Sequence, residues 1–177
     1  MASLFLDRDG VLNERIVDGY VTLPDDFRII DGVLEAMALF AKLFDHIFIV
    51  TNQQGIGKGL MSEADLAAIH DHFVAEVVKA GGRIDRIYHC PALKSEHSFQ
   101  RKPSIGMALR ARRDFPDVRL HKAVMVGDMP SDMLFGRRAG MTTVLVGPEP
   151  QTATQYPHLV DFYFPDLLAY AKSLSKG

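Results

Sequence analysis

The sequence predicts an α/β fold, a Rossmann-like parallel sheet with helices on both faces. Three observations carry this. Short apolar runs alternate with longer amphipathic stretches, as in a parallel sheet covered by helices. Polar residues gather just past those runs, where open parallel sheets place their ligands. The chain has 177 residues, enough for one compact domain with a real core and too few for two comfortable ones, so residues 1–177 are expected to form a single domain.

Leu4-Phe5-Leu6 is a buried strand, and Ile47 to Val50 is a second, rich in β-branched and aromatic residues. Ile84 to Cys90, Ala123 to Val126 and Thr143 to Val146 follow, with Val160 to Phe164 as a short edge strand. Between them, Val33, Leu34, Met37, Ala38 and Ala41 repeat at the spacing of one helix face. Ser62 and Asp65 form a capping pair for a helix that carries Leu66, Ile69, His70 and Phe73 on one face. That helix stops before Gly81-Gly82. Pro103-Ser104 precedes a helix reaching Phe115, Pro130 opens another that ends near Gly140, and Pro165 to Leu174 is a terminal helix. Gly55 to Gly59 lacks the spacing of a phosphate-binding loop and is expected to be a flexible turn. His70 and His72 read as ordinary helix residues.

Twenty Lys and Arg against 22 Asp and Glu leave a net charge of −2, which gives no electrostatic reason to expect nucleic acid or an anionic membrane as a partner. One cysteine, Cys90, excludes an intrachain disulfide and fits a reducing compartment. No apolar run approaches the roughly 18 residues of a membrane helix, and the N-terminus lacks the long apolar core of a signal peptide. A cytoplasmic monomer is the expectation.

The chemistry begins at Asp7-Arg8-Asp9-Gly10. Alternate residues of an extended segment point the same way, so two carboxylates can face one pocket, and Gly10 lets the chain turn sharply. Thr51-Asn52-Gln53 brings a hydroxyl and amides to the end of the second strand. Arg101-Lys102-Pro103 places two cations before a helix. Gly127-Asp128 ends the fourth strand, with Asp132 four residues later. Taken singly, these are an acidic turn, a polar turn, a solvated basic loop and an acidic helix start favoured by the dipole. Together they set acid pair, hydroxyl, lysine and acid pair in order at strand ends or helix starts.

The segments LFLDRDGVLN, IVTNQQGIGKG, RKP and VGDMPSD resemble the four motifs of the haloacid dehalogenase (HAD) superfamily, from Leu4 to about Val146. With DGYV, TNQ and YHCP added, the pattern is similar to the branch containing histidinol-phosphate and heptose 1,7-bisphosphate phosphatases. The resemblance implies a HAD-like fold without a separate cap domain and a Mg²⁺-dependent phosphatase of a small phosphorylated sugar. A heptose bisphosphate is favoured, which would place the enzyme in heptose supply for lipopolysaccharide or related glycans. It implies Asp7 as nucleophile, Asp9 as general acid and base, and Thr51 and Lys102 on the non-bridging oxygens. Asp7, Asp128 and the carbonyl of Asp9 would hold the cation. A phosphate ester resists attack until its charge is neutralised, so a hard cation and a lysine beside the nucleophile suit this chemistry. Asp9 must carry a proton at least transiently, and crowding among carboxylates is expected to raise its pKa. Asn52, Gln53, Arg101 and the Asp18-Gly19-Tyr20 segment are expected substrate contacts, and Asp132 is expected to orient Lys102 or a metal-bound water.

Two departures stand out. Relatives in this branch carry a zinc loop before the RKP motif. Here Cys90 keeps the first position, but Ala92, Ser98 and Gln100 fill the others, so no structural zinc is expected. Met129 replaces the usual Lys or Arg after the GD pair, and a thioether cannot neutralise an anion. Histidinol-phosphate phosphatase is the nearest alternative. A phospho-acceptor signalling domain is the alternative from another class, because receiver domains also combine clustered aspartates, Thr, Lys and magnesium.

Overall fold

The computed structural model describes residues 2–176. In chain order the elements are β1 (Ala2–Leu6), α1 (Val33–Leu43), β2 (Phe44–Asn52), α2 (Gln54–Gly57), α3 (Glu63–Lys79), β3 (Arg86–Cys90), α4 (Gly106–Asp114), β4 (Val124–Gly127), α5 (Pro130–Arg138), β5 (Thr142–Val146), α6 (Gln151–Gln155), β6 (Phe162–Phe164) and α7 (Leu167–Leu174). The six strands pair in parallel in the order β3-β2-β1-β4-β5-β6. This is the doubly wound arrangement that the alternating pattern predicts.

Successive side chains of a strand point to opposite faces, and the core divides accordingly. Leu4, Leu6, Ile47 and Ile49 face one way, against Phe40 of α1, Phe73 of α3 and Tyr170 of α7. Phe5, Phe48 and Val50 face the other, against Met107 of α4 and Phe135 of α5. Apolar layers cover both faces of the central strands, which is why the middle of β1 and of β2 reads as a continuous hydrophobic run.

The cap of α3 forms in both directions: Asp65 N–H donates to Ser62 Oγ at 3.0 Å, and Ser62 N–H donates to Asp65 Oδ2 at 2.8 Å. Boundaries differ where side chains intervene. Strand β3 begins at Arg86 rather than Ile84. Asp85 N–H still donates to the Ile47 carbonyl at 2.8 Å, but its carboxylate takes the Ile47 N–H at 2.7 Å and Arg83 at 3.0 Å, so a side chain takes the place of a main-chain acceptor there. Of the expected flexible turn at Gly55 to Gly59, Gly55 to Gly57 belong to the helical turn α2, and Lys58 and Gly59 form an exposed turn after it. Gly57 lies so close to the next loop that a Cβ there would stand 2.6 Å from the Pro91 carbonyl oxygen. Helix α6, in a polar stretch without periodicity, had no apolar signal. Among the described residues no helix is long and apolar enough to cross a membrane.

Candidate active site

The sheet order changes direction between β1 and β4, and the crevice beyond their carboxyl ends holds a cavity of about 590 Å³. Asp7, Asp9, Asn52, Arg101, Lys102 and Asp132 all line it. Asp7 follows β1 directly, and its N–H still donates to the Val126 carbonyl at 3.0 Å, so the sheet ladder itself fixes this residue.

Lys102 arrives from a loop. Its N–H donates to Asn52 Oδ1 at 3.0 Å, and Asn52 Nδ2 donates back to the Lys102 carbonyl at 3.1 Å. Held at the backbone by the end of β2, Lys102 donates from Nζ to Asp7 Oδ1 and to Asp132 Oδ1, each at 2.7 Å. The second oxygen of Asp132 accepts the N–H groups of Asp128 (3.2 Å) and Met129 (3.1 Å), at the start of α5. Asp132 is therefore committed to fixing the ammonium and the β4–α5 turn. Gly10 closes the site from the other side. Its φ of +86° is one that L side chains resist, and a Cβ there would lie 2.0 Å from Asp128 Oδ2.

One carboxylate oxygen from each of Asp7, Asp128 and Asp132 lies within 4.8 Å of the others. Burial and the neighbouring charge of Asp132 hold Asp7 well above the usual carboxylate range, against the opposing pull of Lys102. Asp128 is raised for the same two reasons, with Arg15 opposing. Burial and like charge, which Lys102 and Arg15 offset only in part, disfavour the ionised acids, and a further cation would favour them. The donors are hard oxygens, and besides Lys102 a second cation stands among them: Arg15 Nη2 donates to the Asp9 carbonyl at 3.0 Å and to both Asp128 oxygens at 3.1 and 3.2 Å. The set fits a hard divalent ion.

Asp9 departs from expectation. Crowding among carboxylates was the reason to expect a raised pKa, yet this group is lowered. Burial works against ionisation, but Arg8, Asn13 and Gln53 outweigh it. The side chain is turned away from the other acids: Oδ1 accepts from Arg8 Nη2 (2.8 Å) and Asn13 Nδ2 (3.0 Å), and Oδ2 from Gln53 Nε2 (3.0 Å).

Other predicted contacts divide. Gly19, Tyr20, Asn52, Gln53 and Arg101 line the cavity. Gln53, however, spends its amide nitrogen on Asp9 and on Thr51 Oγ1, the latter at 2.8 Å, and so braces the site. Thr51 is 1% exposed and does not line the cavity. Asp18 stands apart from these: it sits exposed in a left-handed turn with φ of +54° and does not line the cavity. Its neighbour Tyr20 faces inward, its hydroxyl accepting from Gln54 Nε2 at 2.9 Å with Lys58 Nζ 5.2 Å from the ring centre. Cys90 packs inside the apolar layer beside Tyr88 and Met107.

Sequence reasoning missed Arg8, Arg15 and His70. Arg8 is 1% exposed, and besides Asp9 it donates from Nη1 to His70 Nε2 at 3.1 Å. His70 is therefore no ordinary helix residue. As acceptor it is neutral with its proton on Nδ1, and burial beside Arg8 depresses its pKa to about 3. A signal existed for Arg8, a cation held between two acids at a strand end. None existed for Arg15, which lies in an irregular loop.

The comparisons agree with this geometry. Residues 99–170 match the model of the HAD-hydrolase-like family. A D-glycero-α-D-manno-heptose-1,7-bisphosphate 7-phosphatase of Campylobacter jejuni is 40% identical over 144 residues, covering 81% of each chain. The chain belongs to the HAD-like phosphatases. A β-anomer 7-phosphatase of Vibrio cholerae is 37% identical over 152 residues, covering 81% of this chain and 80% of its own. Among solved structures of this phosphatase family, the D,D-heptose 1,7-bisphosphate phosphatase of B. bronchiseptica, complexed with magnesium and phosphate, superposes with a TM-score of 0.90 at 34% identity over 99% of both chains. Membership of this enzyme family sets aside the signalling-domain alternative.

Proposed function

We propose that this phosphatase removes the 7-phosphate of D-glycero-D-manno-heptose 1,7-bisphosphate through an aspartyl-phosphate on Asp7, with Mg²⁺ as cofactor. The observation that carries the reading is the shared grip of Lys102 on Asp7 and Asp132 at the floor of a cavity ringed by further acids and cations. Its agreement with relatives of that activity supports the substrate.

Asp7, Asp128 and the Asp9 carbonyl would hold the cation, which neutralises phosphate oxygens and favours the ionised form of Asp7. Lys102 meets the charge that develops on the transferring group, while Asp132 keeps its ammonium in place and Asn52 holds its backbone. Asp7 Oδ attacks phosphorus and the sugar oxygen leaves with a proton from Asp9, which the incoming phosphate's negative charge helps to protonate. Asp9 then takes a proton from the water that opens the acyl-phosphate. Its ionised form, favoured by Arg8 and Asn13, suits that second step. Gln53, bonded in turn to Thr51 Oγ1, braces Asp9. The second phosphate lies toward Arg101 and Lys94, cations on the cavity wall that compensate for Met129. We read residues 1–177 as one catalytic unit, active as a cytoplasmic monomer.

Phosphate release is to be measured with both anomers of the heptose bisphosphate and with histidinol phosphate, each with Mg²⁺ and with EDTA. The expected result is the highest kcat/KM on one heptose anomer, leaving the 1-phosphate, and no turnover in EDTA. A higher kcat/KM on histidinol phosphate would overturn the substrate. Undiminished turnover in EDTA would overturn the cation.

A further inference from the structure

Arg15 is the cation that no motif explains. One nitrogen, Nη2, reaches three oxygens on two segments: the Asp9 carbonyl at 3.0 Å and Asp128 Oδ2 and Oδ1 at 3.1 and 3.2 Å. These are two of the three groups assigned to the divalent ion. A guanidinium and a divalent ion drawn to the same oxygens repel each other, so their occupancy is competitive. The side chain is also free to leave. It is 45% exposed, against 2% for Lys102, and makes no other hydrogen bond among the described residues. Lys102 is walled in by two carboxylates and has no such freedom.

The charge balance gives Arg15 a purpose. Asp7, Asp128 and Asp132 crowd within 4.8 Å, and among the described residues the buried cation paired with them is Lys102. Without an ion, a cluster of this kind repels itself. A guanidinium swung in from the pocket wall offsets the excess and can be expelled again by side-chain rotation alone.

We propose that Arg15 is an internal competitor for the cation site: it neutralises the metal-free acid cluster, is displaced when the divalent ion binds, and so sets the affinity of the site for that ion. This rests on the reading that Asp128 and the Asp9 carbonyl hold the ion.

The test is calorimetric titration of metal-stripped protein with MgCl₂, alongside thermal unfolding without metal. Arg15→Met is expected to tighten Mg²⁺ binding about fivefold to tenfold, in keeping with a half-exposed ion pair, and to lower the metal-free Tm. Arg112→Gln removes an equal charge from the exposed face of α4 and is expected to change neither. Asp128→Asn is expected to weaken Mg²⁺ binding by at least about tenfold. Unchanged or weaker binding in a folded Arg15→Met protein would overturn the proposal, as would equal tightening by Arg112→Gln. Should Arg15→Met fail to fold, Arg15→Gln takes its place: tighter binding is expected, and unchanged or weaker binding overturns the proposal. Wild-type binding retained by Asp128→Asn would instead overturn the cation-site reading, and the competitor role with it.

Discussion

Lys102 Nζ donates to Asp7 Oδ1 at 2.7 Å, joining the end of the first strand to a loop 95 residues further along the chain. Both groups are buried, and Asp132 shares the ammonium from the opposite side. Lys102 consequently stays charged, held above its ordinary value by the two carboxylates despite the burial that opposes them. Removing this one charge leaves two buried acids facing each other. Lys102→Met is expected to destabilise the fold by about 3–5 kcal/mol, the usual cost of stranding a buried charge, and to abolish turnover. Urea unfolding and phosphate release measure the two effects.

Asp7→Asn tests the covalent step. The substitution removes a nucleophile and relieves a repulsion, so activity and stability should part company. Turnover is expected to fall at least about 10⁴-fold, while the metal-free protein unfolds no earlier than wild type. More than trace activity in the purified variant would end the aspartyl-phosphate mechanism.

Gly10→Ala addresses the turn after the acid pair. A positive φ costs an alanine about 1–2 kcal/mol, and the added methyl would collide with Asp128. The expected outcome is a modest drop in Tm, with a larger loss of Mg²⁺ affinity and of turnover. Gly81→Ala is the control, because it has the same sign of φ, at +88°, with nothing within 4 Å. It should lower Tm alone.

His70 gives a pH signature. Its folded pKa of about 3 lies below the ordinary 6.5, so between those values the unfolded chain binds the extra proton. Its contribution is complete above pH 6.5 and is lost as pH falls through that window. Between pH 6.5 and 5 the loss is expected to be about 2 kcal/mol, since each unit is worth about 1.36 kcal/mol. His70→Gln, whose carbonyl can still accept from Arg8, should flatten this part of the stability curve. Urea titrations of both proteins at pH 7 and pH 5 check it.

How much of this was legible in the sequence follows from the range of the forces involved. Strand and helix signals are local. The apolar run Leu4-Phe5-Leu6 announced β1, and Ser62 with Asp65 announced the start of α3. Strand-end residues were legible too, because a parallel sheet delivers the ends of β1, β2 and β4 to one edge wherever their order switches.

Sequence alone therefore determined the fold class, the edge at which chemistry gathers, and the identity of Asp7, Asp9, Lys102 and Asp128 as the residues delivered there. Tertiary structure alone decided how their charges are shared. It turned Asp9 toward Arg8 and Asn13, lowering a pKa that crowding was expected to raise. It spent Gln53 on bracing, left Asp18 in solvent, buried His70 against Arg8, and laid Arg15 across Asp128. Those outcomes depend on distances of about 3 Å between segments remote in the chain. Electrostatic and hydrogen-bond energies change steeply over that distance, and residue order does not encode it.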